Sequence, residues 1–171
     1  MIQTHTSQIH LRTSQQADAE FLFAVYAASR EQELARVPWT PEQKRIFLVQ
    51  QFHAQDAYYR NTFSAAKFDV IEQSGQPIGR FYVERKPHEI HVIDIALLPA
   101  YRNKGIGGQL MNAVMREADS LCLRVSIFVE KNNPAQRLYD RLGFIKKQDA
   151  GIYWFMAKDP YSHAGSSHHY E

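Results

Sequence analysis

Residues 92–121, VIDIALLPAYRNKGIGGQLMNAVMREADSL, constrain the chain more than any other stretch. They read as a strand, a short glycine-rich turn and a long amphipathic helix. The strand, Val92-Ile93-Asp94-Ile95-Ala96-Leu97-Leu98, is rich in β-branched and apolar residues and is stopped by Pro99, which has no N–H to give to a ladder. The helix carries Ile106, Leu110, Val114, Ala118 and Leu121 at spacings of four, four, four and three, which is one helical face. Between them lies Arg102-Asn103-Lys104-Gly105-Ile106-Gly107-Gly108. Glycine lets backbone come close to a ligand. The unsatisfied N–H groups of a first helical turn, at the positive end of the helix dipole, favour an anion. Arg102 and Lys104 add positive charge, so the expected ligand is phosphorylated, a pyrophosphate.

The turn is not a Walker A loop, because Lys104 precedes Gly105 and no Gly-Lys-Ser/Thr follows. Nor is it the dinucleotide fingerprint, since Gly107 and Gly108 are adjacent rather than spaced. The pattern Arg-x-x-Gly-x-Gly, after a strand ending Leu-Leu-Pro, resembles the acetyl-coenzyme A site of the GNAT (GCN5-related N-acetyltransferase) superfamily. A second stretch, Asn132-Asn133-Pro134-Ala135-Gln136-Arg137-Leu138-Tyr139-Asp140-Arg141-Leu142-Gly143-Phe144, resembles the Asn-x-x-Ala-x-x-Leu-Tyr-x-x-x-Gly-Phe segment of the same enzymes. The resemblance implies an acetyl-coenzyme A site built from Arg102 to Gly108, with Asn132 contacting the cofactor and Tyr139 beside its sulfur. It also implies that backbone groups of Ile95, Ala96 and Leu97 bond the pantetheine arm like an added strand. One N–H there would polarise the thioester carbonyl, which is oxyanion stabilisation by a preorganised donor.

Read by themselves, these residues allow blander roles. Ile95, Ala96 and Leu97 make an ordinary buried strand, and the spacing of Tyr139 fits an apolar face of a helix. Its chemistry suits the family role too. A phenol with a pKa of about 10 stays protonated at neutral pH and can donate to a departing thiolate. An acceptor amine must lose a proton before it attacks. Candidates for that base are Glu89, His91 and Asp94, all on the strand leading to the site. Some members of the family carry a glutamate at about the position of His91, and a histidine there can serve near neutral pH. Water-relayed deprotonation is the alternative. In this fold the segment 31–39 should roof the acceptor pocket, with Glu31 and Glu33 to hold a cation and Trp39, Phe52, Tyr58 and Tyr59 as walls.

The remainder of the chain sets the fold class. Residues 9–12 form a first strand, and Thr13 or Ser14 opens a helix with Phe21, Leu22, Val25, Tyr26 and Ala28 on its apolar face. A polar stretch, 29–33, follows it. Thr40-Pro41-Glu42-Gln43 starts a second helix with an N-cap, a proline at the first position and a capping-box glutamine. Strands follow at 68–72 and 78–84 across a turn at 74–76, then at 89–97 and 124–129. A helix over 134–142 ends at Gly143, and a hairpin of 144–148 and 152–157 closes the domain. This order is a mixed α/β layer fold. In the family it is a mostly antiparallel central sheet, splayed between strands 4 and 5 and flanked by helices, with coenzyme A in the V. Residues 1–158 are expected to be one domain. Residues 159–171, rich in Ser, His and Gly, are expected to be a disordered tail whose His163, His168 and His169 form no metal site.

Composition excludes several classes. With 171 residues, 44% hydrophobic, 22% charged and net charge +2, the chain has the make-up of one globular domain. No basic run points to nucleic acid or a membrane surface. Cys122 is the sole cysteine, so no internal disulfide forms, and it reads as a small core filler. The first residues carry no apolar signal segment, and a cytoplasmic enzyme is expected, with a homodimer allowed. The function expected is transfer of an acetyl group from acetyl-coenzyme A to a primary amine, in a ternary complex and without metal. The competing reading is a non-catalytic acyl-coenzyme A sensor on the same fold.

Overall fold

The computed structural model describes residues 8–161. Its fold is the mixed α/β one expected. The elements are β1 (Ile9–Thr13), α1 (Ala19–Ala35), α2 (Pro41–Thr62), β2 (Lys67–Gln73), β3 (Gln76–Arg85), β4 (Glu89–Leu97), α3 (Ile106–Ser120), β5 (Arg124–Glu130), α4 (Gln136–Arg141), β6 (Ile145–Ala150) and β7 (Tyr153–Lys158). One-turn 3₁₀ helices sit before α1 and α3. The seven strands form a sheet in the order β1-β2-β3-β4-β5-β7-β6. The pairs β1/β2, β2/β3, β5/β7 and β6/β7 are antiparallel. β4 and β5 are neighbours joined through α3, the helical crossover that parallel strands require.

Local chemistry explains most boundaries. Thr40 caps α2 reciprocally: its hydroxyl accepts from the Gln43 amide at 3.2 Å, and the Gln43 side chain accepts from the Thr40 amide at 2.9 Å. Ser74 (φ 51°) and Gly75 (φ 78°) turn β2 into β3, the left-handed pair a two-residue hairpin needs. The β2/β3 register slips at Ile71/Glu72, because Ile71 faces Gly79 while Glu72 faces Pro77. Ile78 is therefore the extra residue of a bulge, and its carbonyl accepts from the Leu98 amide at 2.9 Å.

The chain divides into two compact units. One holds the chain up to Arg85 together with Val92–Gln109; the other holds Lys86–His91 and the chain from Leu110 onward. The division falls within β4. Its first three residues go with β5 and its last six with β3. In the first unit Leu22, Tyr26, Phe52 and Val70 form a core, with Phe21, Phe23 and Leu48 packed against it. In the second, Met111, Val114, Met115, Ala118, Val125, Ile127, Val129, Phe144, Met156 and Ala157 are buried.

Five sequence expectations are corrected. α1 does not end before residue 29 but runs through the polar stretch to Ala35, so that Leu34 is buried. Nor does it open at Thr13 or Ser14; the chain first makes a 3₁₀ turn over Gln16–Asp18. α4 is shorter than 134–142: Asn133 takes the Ala135 amide on its side chain at 2.9 Å, and the helix begins only at Gln136. At the end of α3, Leu121 is 58% exposed rather than part of the buried face. Cys122 is exposed and has φ 54°. Its amide donates to the Asp119 carbonyl at 3.2 Å, while the Leu123 amide donates to that of Ala118 at 2.8 Å. That pair of bonds is a Schellman cap with cysteine in the left-handed position usually given to glycine, which is why Cys122 is no core filler. His163, His168 and His169 lie outside the described residues.

Candidate active site

At the front of α3 the first backbone amides are left without intrahelical partners. After β4 the chain makes a single turn, with the Tyr101 amide bonding the Leu98 carbonyl at 3.0 Å and the Arg102 amide that of Pro99 at 3.3 Å. Asn103 (φ 58°) and Gly105 (φ 81°) then take left-handed conformations. A side chain at Gly105 would meet nothing within 4 Å, so glycine is needed there for the backbone angle and not for space. Ile106 is buried and anchors the helix start. The first amide to bond back is that of Gln109, to the Gly105 carbonyl at 3.0 Å. The amides of Ile106, Gly107 and Gly108 come before it and bond no other group among the described residues. A diphosphate matches this donor set.

The flanking cations differ. Arg102 donates Nε to the Leu97 carbonyl at 2.9 Å, which ties its guanidinium to the end of β4. Lys104 is exposed, with its ammonium 6.0 Å from the centre of the Tyr101 ring. Ile95, Ala96 and Leu97 are half-buried. On β3, a Cβ at Gly79 would lie 2.3 Å from the Ala96 carbonyl oxygen and 3.1 Å from Leu97 Cα. Only glycine lets β3 approach this part of β4. The sequence reading passed over Gly79, although a glycine inside a strand signals close backbone approach.

Asp94 and Tyr59, both expected near the site, belong to a polar cluster with Arg80 and Gln55, which the sequence did not single out. Asp94 Oδ2 accepts from Arg80 Nη2 at 2.7 Å and from the Tyr59 hydroxyl at 3.1 Å. Arg80 Nη2 also donates to Gln55 Oε1 at 2.8 Å. Burial works against the Arg80 charge, but the Asp94 carboxylate together with the neighbouring Tyr82 and Tyr59 phenols holds the guanidinium above its ordinary pKa. Burial pushes the Tyr82 phenol up. The signal available in the sequence was an arginine inside the apolar run Ile78 to Val83.

In the second unit, Tyr139 is 4% exposed on α4, with its ring 5.8 Å from that of Phe144. Asn132 is exposed in the turn after β5. His91 is buried; its Nδ1 lies 2.9 Å from the Ser126 hydroxyl, and its ring meets the edge of Phe128 at 5.7 Å. Glu89 pairs with Arg124 at 3.1 Å.

The residues expected to roof an acceptor pocket take different places. Glu31 lines an open groove of about 400 Å³ between α1 and α2, with Ala27, Ala28, Leu34, Lys44 and Leu48. Trp39 is 42% exposed and stacks edge-on to Phe47. Phe52 belongs to the core, and the Tyr59 hydroxyl reaches Asp94 on β4. Among the described residues, no group of three or more His, Cys, Asp or Glu side chains is placed to hold a metal ion.

Residues 24–144 match the sequence model of the Acetyltransferase (GNAT) family. An N-alpha-acetyltransferase of Sulfurisphaera tokodaii is 34% identical over 74 residues, which are 42% of this chain and 44% of that protein. The match thus spans less than half of that relative's length. The PaiA N-acetyltransferase of Thermoplasma acidophilum, solved in complex with coenzyme A, is similar with a TM-score of 0.67 at 17% identity, over 89% of this chain and 99% of that one. A GCN5-related N-acetyltransferase structure from Rhodopseudomonas palustris is similar with a TM-score of 0.62 at 22% identity, over 90% and 96%. At these identities the structural likeness concerns the fold alone.

Proposed function

The chain belongs to the acetyltransferase (GNAT) family, and on that premise we propose that it transfers an acetyl group from acetyl-coenzyme A to a primary amine. The observation that carries this reading is the set of unpaired amides at Ile106, Gly107 and Gly108, placed one turn after the end of β4. They suit the diphosphate of the cofactor, with Arg102, Asn103, Lys104 and Gly105 shaping the approach and Asn132 as a further contact. Backbone groups of Ile95, Ala96 and Leu97 hold the pantetheine arm and polarise the thioester carbonyl.

The amine attacks the carbonyl carbon directly, in a ternary complex. A C–N bond forms, the C–S bond breaks, and the departing thiolate takes the phenolic proton of Tyr139. The proton released by the acceptor passes to His91 or to water. His91 Nδ1 is engaged with Ser126, so by the first route the proton goes to the other ring nitrogen, Nε2. Tyr139 then regains its proton from solvent.

Two measurements test the reading. Coenzyme A should raise the melting temperature, while ATP and NAD should not. At a hundred times its dissociation constant a ligand adds about 2.7 kcal/mol, which for a chain of this size is a rise of roughly 5–10 °C. Released thiol should then appear with at least one primary amine from a panel of short peptides, amino acids, spermidine and aminoglycosides. Protection by coenzyme A with no turnover of any amine would favour the acyl-coenzyme A sensor. Equal protection by ATP would defeat the cofactor assignment itself.

A further inference from the structure

The Arg80–Asp94 pair is unevenly buried. The Arg80 side chain is 4% exposed and that of Asp94 16%. The cation is sealed, while the carboxylate keeps an open side. Two donors, Arg80 Nη2 and the Tyr59 hydroxyl, hold the single oxygen Oδ2. The other oxygen, Oδ1, accepts no hydrogen bond from the described residues.

As a stabilising device this arrangement is poor. A buried ion pair roughly breaks even against its desolvation, and apolar residues of like volume often do better. The Arg80 Nε and the nearby Tyr82 hydroxyl, both buried, also lack a partner among the described residues, a further cost. What the arrangement does achieve is to fix one carboxylate on β4.

The place where it is fixed matters. Asp94 precedes Ala96 by two residues on β4. Strand residues i and i+2 share a face and lie about 7 Å apart. An acceptor nitrogen poised about 3 Å from a thioester carbon held at Ile95–Leu97 would then lie on the side of β4 that carries the Asp94 carboxylate, close enough for a hydrogen bond to bridge them.

The geometry points to Asp94 as the specificity-determining residue for the acceptor: its Oδ1 receives the primary ammonium, and Arg80 and Tyr59 act as positioning residues for the carboxylate. This rests on the acetyl-transfer reading. Asp94 anchors and does not serve as the base. The anchored ammonium gives one proton to water, and the neutral amine stays hydrogen-bonded to Asp94 while it attacks. The arrangement favours primary amines over alcohols and thiols, which bring no positive charge to the carboxylate.

The test uses whichever amine of the panel the wild-type enzyme turns over best. Asp94→Asn should raise the KM for that amine at least 30-fold, leave the KM for acetyl-coenzyme A within twofold, and leave thermal protection by coenzyme A intact. That variant also leaves the Arg80 charge unbalanced, so the double variant Arg80→Gln/Asp94→Asn, which removes both charges, is measured beside it. If Asp94 only neutralises Arg80, the double variant regains the wild-type amine KM, and the proposal is overturned. A raised amine KM that persists in the folded double variant supports it. Tyr59→Phe, which removes a single hydroxyl, should raise the amine KM a few-fold without touching that of acetyl-coenzyme A; an unchanged amine KM there also counts against the proposal. If no amine is turned over although coenzyme A protects the wild type, the acceptor reading fails first and takes this proposal with it.

Discussion

Tyr139 stands on a six-residue helix, packed against Phe144 and almost wholly buried. Periodicity alone could not separate a phenol serving as packing from one serving as an acid; only its place in a longer motif could. Tyr139→Phe keeps the ring and removes the proton. The expected result is a fall in turnover of roughly tenfold to a hundredfold, with coenzyme A affinity by calorimetry nearly unchanged. Equal turnover at saturating acceptor would take Tyr139 out of the mechanism. Cys122 shows the opposite limit. Composition suggested a buried thiol, yet the residue sits at a left-handed helix cap, a position set by backbone geometry that composition does not encode. Glycine adopts that conformation without the Cβ penalty. Cys122→Gly should therefore stabilise the protein by about 0.5–1 kcal/mol, read as a higher urea midpoint with an unchanged slope.

At the scale of elements, what was legible was what local chemistry dictates. The Thr40–Gln43 box, the Ser74-Gly75 turn and the span of β4 all follow from neighbours within a few residues. α1 and α4 were misjudged at their ends because the deciding events are tertiary or side-chain specific: Leu34 is buried at the end of a polar stretch that stays helical, and the Asn133 side chain takes the Ala135 amide just before α4. The bulge at Ile78 was not legible at all. It lies beside Gly79, where β3 meets β4 closely, a pairing between strands that periodicity does not reveal. Gly79→Ala tests what the bulge does for the site. A methyl group 2.3 Å from the Ala96 carbonyl must push β4 away. Coenzyme A affinity should fall at least tenfold by calorimetry, with circular dichroism showing the fold retained. Wild-type affinity in a folded Gly79→Ala protein would show that Ile95–Leu97 need not be held where it is.

For the molecule as a whole, the order of elements was readable because each strand and helix announces its own period, and that order narrows the topology to few choices. The long-range ionic contacts were not readable. Arg12 joins Glu72 across the β1/β2 pair and grips both oxygens of Asp18 at 2.8 Å, and nothing in the sequence marks which of many charges will meet. These contacts give the fold an acid limit. The Arg12 guanidinium holds the Asp18 carboxyl down, from an ordinary 3.8 to about 2. A carboxyl with a lowered folded pKa stabilises fully above its unfolded value and loses that contribution as pH falls through the folded one. The window here is about pH 4 to pH 2. Asp69 acts with the opposite sign, since burial pushes its carboxyl up, and it offsets part of what Asp18 loses in acid. Asp18→Asn isolates the ion pair. At pH 7 it should cost on the order of 1–2 kcal/mol, the full shift being discounted because Arg12 is partly solvated. The gap between variant and wild type in urea unfolding should hold from pH 7 to about 4 and close towards pH 2. A gap that persists unchanged at pH 2 would mean that Asp18 stabilises as a hydrogen-bonding shape, through the 3₁₀ turn it closes with the Gln15 amide, and not through its charge.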